Sequence, residues 1–368
     1  MTDLAERALL PAGLRDILPP FAAREADIVT RLMAAFALYG YERVKPPLIE
    51  FETTFAPDGF RVMDPNTQRM MAVRSDMTPQ VARIAACRLG GQPRPLRLAY
   101  AGQVLRVKGT QLRPERQFGQ VGIELIGTDA IGAEAEILAL CAEALAGVGL
   151  TDISVDLTLA TLVPLLLGEQ SGDKGLRDAL AHKDVGAVSA NGGDTAKLLT
   201  ALIEAVGPAE RGLQKLLALA LPPAAAAERD RLVQVVGLIR AALPGLTLTI
   251  DPVENRGFEY HTGVGFTIFC RRSAGEIGRG GRYSAQGEAA VGATLFMDTL
   301  LEVLPEGKAA PRVFLPYGTD RAAGARLRRE GWVTIQGLAA GEDCGAEAKR
   351  LRCSHILAEG RLEEIAHG

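Results

Sequence analysis

The chain is short of cysteine, of aromatics and of any excess of one charge. Its five cysteines, Cys87, Cys141, Cys270, Cys344 and Cys353, are odd in number and form no C-x-x-C pair, so neither a disulfide framework nor a zinc site is expected. Buried free thiols are the expectation instead. No metal and no cofactor is called for. The formal net charge is -3, and basic and acidic residues nearly balance after Ala310, so no segment there reads as a basic footprint for nucleic acid. The opening Met1-Thr-Asp-Leu-Ala-Glu6 carries acids where a signal peptide needs a basic stretch. No run approaches the roughly 18 apolar residues of a spanning helix. A cytoplasmic, membrane-free chain is the expectation. No fixed-period repeat or heptad array is visible, which excludes a solenoid or coiled coil.

What the chain does have is apolar content, 48% of 368 residues, enough for one large core and a smaller one. Ile28, Leu32 and Phe36, with Val29 and Met33, fall at helical spacing before Gly40, which predicts a helix of about five turns. Arg43 to Pro47 reads as a strand whose prolines confine it to an edge or an interface. Leu96–Tyr100 and Gln103–Val107 read as two strands, and Val121, Ile123 and Leu125 alternate as in a half-buried one. A helix is expected from Ala130 to Val148. From about residue 162 to 243 the sequence turns Ala/Leu-rich with Gly and Pro punctuation, which suggests an inserted helical unit. Strand character returns at 246–250 and 263–269, followed by a glycine-rich turn and an apolar helix ending near Leu304. After Pro311, strand and helix alternate, as in a small α/β appendage. The expected fold class is therefore α+β, with a core over 1–310 and an appendage over 311–368.

Several segments carry a family resemblance. Leu10-Pro-Ala-Gly-Leu-Arg-Asp-Ile-Leu-Pro19 and Tyr39-Gly-Tyr-Glu-Arg-Val-Lys-Pro-Pro-Leu-Ile-Glu50 resemble the opening and motif 1 of the histidyl-tRNA synthetase family. Arg74-Ser-Asp-Met-Thr-Pro79 resembles its R-P-E/D-M-T loop, and Gln120-Val-Gly-Ile-Glu-Leu-Ile-Gly127 the end of motif 2. Arg256-Gly-Phe-Glu-Tyr-His-Thr-Gly263 and Gly280-Gly-Arg-Tyr283 are similar to the histidyl signature R-G-L-D-Y-Y-T-G and its G-G-R-Y turn. The resemblance implies a class II synthetase-like antiparallel sheet flanked by helices, with a homodimer seam at motif 1.

By the same resemblance, Asp76, Thr78, Gln120 and Glu124 hold the α-amino group of histidine. The chemistry fits, since an ammonium needs acceptors and these supply two carboxylates and two neutral oxygens. Gln120 and Glu124, four apart on a strand, share a face. Arg256, Tyr260, His261 and Tyr283 complete the implied histidine pocket, with Arg256 toward carboxylate or phosphate and His261 with Tyr283 on the imidazole edge. The family usually carries Tyr where His261 stands, which makes that contact tautomer-dependent. Taken singly, these residues would read as solvated strand polars or a structural histidine; only the motifs make them a pocket.

The nucleotide positions depart from the pattern. Arg106 occupies the motif 2 arginine position and is an anion-binding candidate, but F-R-x-E reads Leu105-Arg-Val-Lys108, a cation where an acid should meet adenine. The arginine-rich approach reads Arg113-Pro-Glu-Arg-Gln-Phe118, and its first arginine has no secure counterpart. Motif 3 places Thr299 where the ATP-binding arginine belongs, with Arg279 or Arg282 as cations able to compensate. No catalytic residue is assigned. The branch of the family with this profile comprises regulatory subunits of ATP phosphoribosyltransferase. It implies association with a short-form catalytic subunit, histidine as effector, a homodimer within a larger hetero-oligomer, and no tRNA. The competing readings are a reduced histidyl-tRNA synthetase and an amino-acid-activating paralogue.

Overall fold

The structure, a computed structural model, describes residues 9–52, 59–109, 114–168, 173–254, 260–273, 275–305, 310–341 and 343–365. The chain forms two compact units, Met1–Pro305 and Glu306–Gly368.

The first unit is built on strands β1 (Glu42–Arg43), β2 (Ile49–Phe51), β3 (Arg61–Met63), β4 (Met70–Val73), β5 (Leu96–Leu105), β6 (Gln117–Ile126), β7 (Ile153–Leu159), β8 (Gly207–Pro208), β9 (Thr247–Asp251), β10 (His261–Cys270), β11 (Gly278–Ala285) and β12 (Glu288–Phe296). Nine of these make one sheet in the order β1-β5-β6-β12-β11-β10-β7-β9-β8. Its centre is antiparallel, while β1–β5 and β7–β9 pair in parallel. The two strands expected at 96–100 and 103–107 are one, because the antiparallel register with β6 runs unbroken from Leu96↔Ile126 to Leu105↔Gln117. The proline-bearing segment pairs only at Glu42 and Arg43 and forms the sheet edge, as a missing ladder donor requires. A separate sheet β2-β4-β3 was not legible in the sequence.

Helix α1 (Phe21–Leu38) buries Ile28, Leu32, Met33 and Phe36 against the back of the sheet. It stops at Gly40, whose φ of +80° lets the amides of Gly40 and Tyr41 fold back onto the carbonyls of Ala37 and Phe36. Helix α2 (Thr78–Cys87) packs on the front, and α3 (Gly132–Gly147) on the back. The expectation of a half-buried β6 is corrected. Val121, Ile123 and Leu125 do face the core, but Gln120 and Glu124 on the other face are buried too, because that face is the floor of a pocket. Between 162 and 242 lie α4 (Leu162–Leu167), α5 (Lys174–Ala181), α6 (Val185–Asn191), α7 (Ala196–Glu204), α8 (Ala209–Leu217) and α9 (Pro223–Ala242), and α10 (Met297–Val303) closes the unit.

In the second unit, β13 (Arg312–Leu315), α11 (Arg321–Arg329), β14 (Val333–Gln336), α12 (Cys344–Arg350) and β15 (His355–Ala358) alternate, and β16 (Arg361–Glu364), too polar to read as a strand, adds an antiparallel edge. The expectation of buried thiols holds for Cys141, Cys270 and Cys353 but not for exposed Cys87 or half-buried Cys344. Both of these lie on helices, Cys87 as the last residue of α2 and Cys344 as the first of α12, where a side chain reaches the surface. Among the described residues no helix is long and apolar enough to cross a membrane, and no three His, Cys, Asp or Glu side chains group as metal ligands would.

Candidate functional site

The front of the sheet is a floor with few side chains. Glu124 on β6 lies opposite Gly292 on β12, which lies opposite Gly281 on β11. A Cβ on Gly292 would overlap the Glu124 carboxylate, and one on Gly122 would overlap the Tyr100 phenol. Glycine at these places is what lets a carboxylate lie across the strands.

Glu124 is fully buried, and three hydroxyls converge on it. Thr78 Oγ1 donates to Oε1 at 2.9 Å, Tyr283 Oη to Oε2 at 2.9 Å, and Tyr100 Oη to Oε1 at 3.2 Å. Thr294 Oγ1 stands 2.7 Å behind Tyr100. Burial pushes the Glu124 carboxyl up to about 8, the hydroxyls offsetting only part of the desolvation. Asp76 is also pushed up by burial, with Gln120 and the Arg106 charge pulling it back. Its Oδ1 and the Gln120 Oε1 both accept from the Met77 amide, at 2.9 and 3.1 Å, which fixes the loop at the start of α2. Two desolvated acids in one pocket can accept from a cation with several N–H groups to give.

Arg74 holds this loop from beneath. Its buried guanidinium donates to Gln103 O at 2.7 Å and Pro46 O at 3.2 Å, tying the proline segment to β5. His261 pairs across the ladder with Tyr283, its ring lying over Gly281, and half-exposed Tyr260 stacks on it at 4.1 Å between centroids. Arg256 and Arg113 lie outside the described residues. The structure thus gathers Asp76, Thr78, Gln120, Glu124, Tyr260, His261 and Tyr283 around one place. Sequence reasoning missed Tyr100 and Thr294, although parity along β5 and β12 puts both on the face of Glu124.

Two cavities adjoin here and share Asp76 and Tyr260. One, of 450 Å³, runs along Thr78, Tyr283, Arg83 and Cys87. The other, of 540 Å³, is lined by Arg106, Lys108, Arg279, Gln120, Thr294 and Phe296. Arg106 lies 4.7 Å over the Phe118 ring, a cation–π contact. Arg279 is clasped by Glu276 at 2.6 Å. Arg282, expected as a second compensating cation, is not there. One step from Tyr283 along β11, it points to the back of the sheet, where it pairs with Glu134 at 2.9 Å and Asp129 at 2.6 Å; Arg231 of α9 clasps the same Glu134 at 2.7 Å. Thr299 is buried in α10.

A largely antiparallel sheet with a glycine floor, a buried acceptor cluster and a neighbouring cationic cavity defines a protein of class II synthetase-like fold. Residues 13–300 match the family described as histidyl-tRNA synthetase. The chain is 59% identical to an ATP phosphoribosyltransferase regulatory subunit of Paramagnetospirillum magneticum over 99% of its own length and 100% of the relative's. It is 55% identical to another from Rhodospirillum centenum, over 97% and 96%. A crystal structure of a Bacillus halodurans protein described as an ATP phosphoribosyltransferase regulatory subunit/histidyl-tRNA synthetase shares the fold, with a TM-score of 0.80 at 24% identity over 93% of this chain and 96% of that one. This chain belongs to the histidyl-tRNA synthetase-like family of ATP phosphoribosyltransferase regulatory subunits.

Proposed function

We propose that the chain is non-catalytic, that a short catalytic subunit of ATP phosphoribosyltransferase requires it for activity, and that it delivers feedback by histidine at the first step of histidine biosynthesis. The observation that carries this reading is the division of the site. The acceptors for an amino acid's ammonium are complete around Glu124, whereas Lys108 and Thr299 stand at positions that in the resembling synthetases serve ATP. Feedback requires histidine to bind the inhibited assembly more tightly than the active one. The test is reconstitution. The chain should co-purify with the short catalytic subunit and restore its activity, and histidine should inhibit the complex. Failure to co-purify, or inhibition unaltered in Glu124→Ala, overturns the respective half.

The same reading assigns a core over 1–310 with a helical insertion at 162–243, an appendage over 311–368 that reads no tRNA, and residence in the cytoplasm. It also assigns a homodimer through motif 1. Leu48, Ile49, Phe51, Val62, Met63 and Met70 on and beside the β2-β4-β3 sheet are exposed apolar side chains of the kind a partner surface covers. Sedimentation should give a dimer at micromolar concentration; a monomer contradicts it.

A further inference from the structure

We propose that Lys183 is a positioning residue: reaching from the helical stretch between β7 and β9, it clasps the turn that follows β9 and so sets where Tyr260 and His261 stand in the amino-acid pocket. Lys183 lies between α5 and α6, and its backbone closes α5. Its amide donates to the Leu180 carbonyl at 3.0 Å and the amide of Asp184 to that of Ala179 at 2.9 Å, a helix ending that puts Lys183 in the left-handed region at φ +54°. Glycine takes that conformation at no steric cost, whereas a lysine there is strained. The reason for a lysine lies at the other end of its side chain.

Lys183 Nζ stands 2.7 Å from Asp251 Oδ2 and 3.6 Å from Glu254 Oε2. Asp251 ends β9 and is buried, and its second oxygen, Oδ1, accepts from the amides of Val253 and Glu254 at 3.2 and 3.0 Å. One carboxylate therefore joins the lysine to the turn. On β7, Asp156 shares the face of Asp251 and accepts from Thr249 Oγ1 at 2.7 Å. Burial raises the Asp156 carboxyl, Asp251 and Glu254 add to the rise, and Lys183 opposes it. Three acids thus share this patch with one ammonium, and removing that charge leaves them to repel one another. From the turn the chain next reaches, among the described residues, Tyr260 and His261, whose rings stack at 4.1 Å, with His261 opposite Tyr283. A turn that fixes these rings fixes a wall of the pocket, so displacing the helical stretch changes histidine affinity, and histidine in turn favours the seated stretch. This consequence rests on the reading of the pocket as a histidine site; the clasp itself does not.

The test compares the full chain with Lys183→Gly and Lys183→Arg, by calorimetry with histidine and by hydrogen exchange over Asp251–Glu254 and Tyr260–Val264. Glycine removes the clasp while relieving the backbone, so a thermal midpoint near that of the wild type is expected together with histidine binding weaker by about fivefold or more. Exchange should quicken in both segments of Lys183→Gly. Lys183→Arg keeps the charge and should stay within about threefold of the wild type in affinity. Unchanged exchange at Tyr260–Val264 in Lys183→Gly overturns the positioning role, and quickened exchange with unchanged histidine affinity overturns its consequence for the effector. A wild-type chain that binds no histidine sinks the histidine reading instead and leaves the exchange comparison to decide the clasp.

Discussion

The two cavities that share Asp76 and Tyr260 match the family resemblance unequally. Around Glu124, every residue that the family resemblance assigns to the ammonium is present and in contact, down to the glycines that leave it room. In the adjoining cavity Lys108 stands where the resemblance expects an acid, and Thr299, buried in α10, stands where it expects an arginine. The contrast teaches that on this sheet the buried acceptors and the placed cations are supplied by different residues, so one set can match the resemblance where the other departs from it.

The comparison breaks outright if the nucleotide half still works. Histidine-dependent exchange between pyrophosphate and ATP should stay at the no-protein background, since removing even one placed charge costs about a hundredfold to a thousandfold in rate. Exchange well above background would return the chain to the synthetases. For the amino-acid half, Glu124→Ala should weaken histidine binding by about 1.5 to 3 kcal/mol, the scale of a charged hydrogen bond, without loss of the catalytic partner. Unchanged affinity by calorimetry would move the effector site elsewhere.

The smallest effect is in pH. Glu124 is raised from 4.5 to about 8, so the empty folded chain holds this proton more tightly than the unfolded one and loses stability as pH climbs through that window. A bound ammonium favours the carboxylate, so histidine affinity should rise between about pH 7 and 8.5 and binding should release a proton. Glu124→Gln should flatten the slope. A wild-type slope identical to that of the variant would mean that the bound amine meets some other acid.

The legible parts of this molecule were those set by local pattern. The helical spacing of Ile28, Leu32 and Phe36, four residues apart, specified α1, and the parity of Gln120 and Glu124 placed them on one face before any partner was known. What escaped involved residues distant in the chain. Whether Arg282 serves the pocket or the core depends on Glu134, 148 residues away, and on Arg231 beyond it. Its direction was nonetheless implied by its neighbour, since a strand that aims Tyr283 forward aims Arg282 backward. The β2-β4-β3 sheet escaped because its strands are three or four residues long and largely exposed, so no alternation announces them.

That back-to-back arrangement bears on both faces. Tyr283, one of the two phenols that touch Glu124, sits on a strand whose reverse side is bolted by two arginines to one buried carboxylate. Ion pairs so deeply desolvated yield little to a ligand that pushes, because any gap exposes an uncompensated charge. The strand carrying Tyr283 is thus anchored from behind, and a substitution that frees Glu134 is expected to be felt at the front of the sheet as well as at its rear.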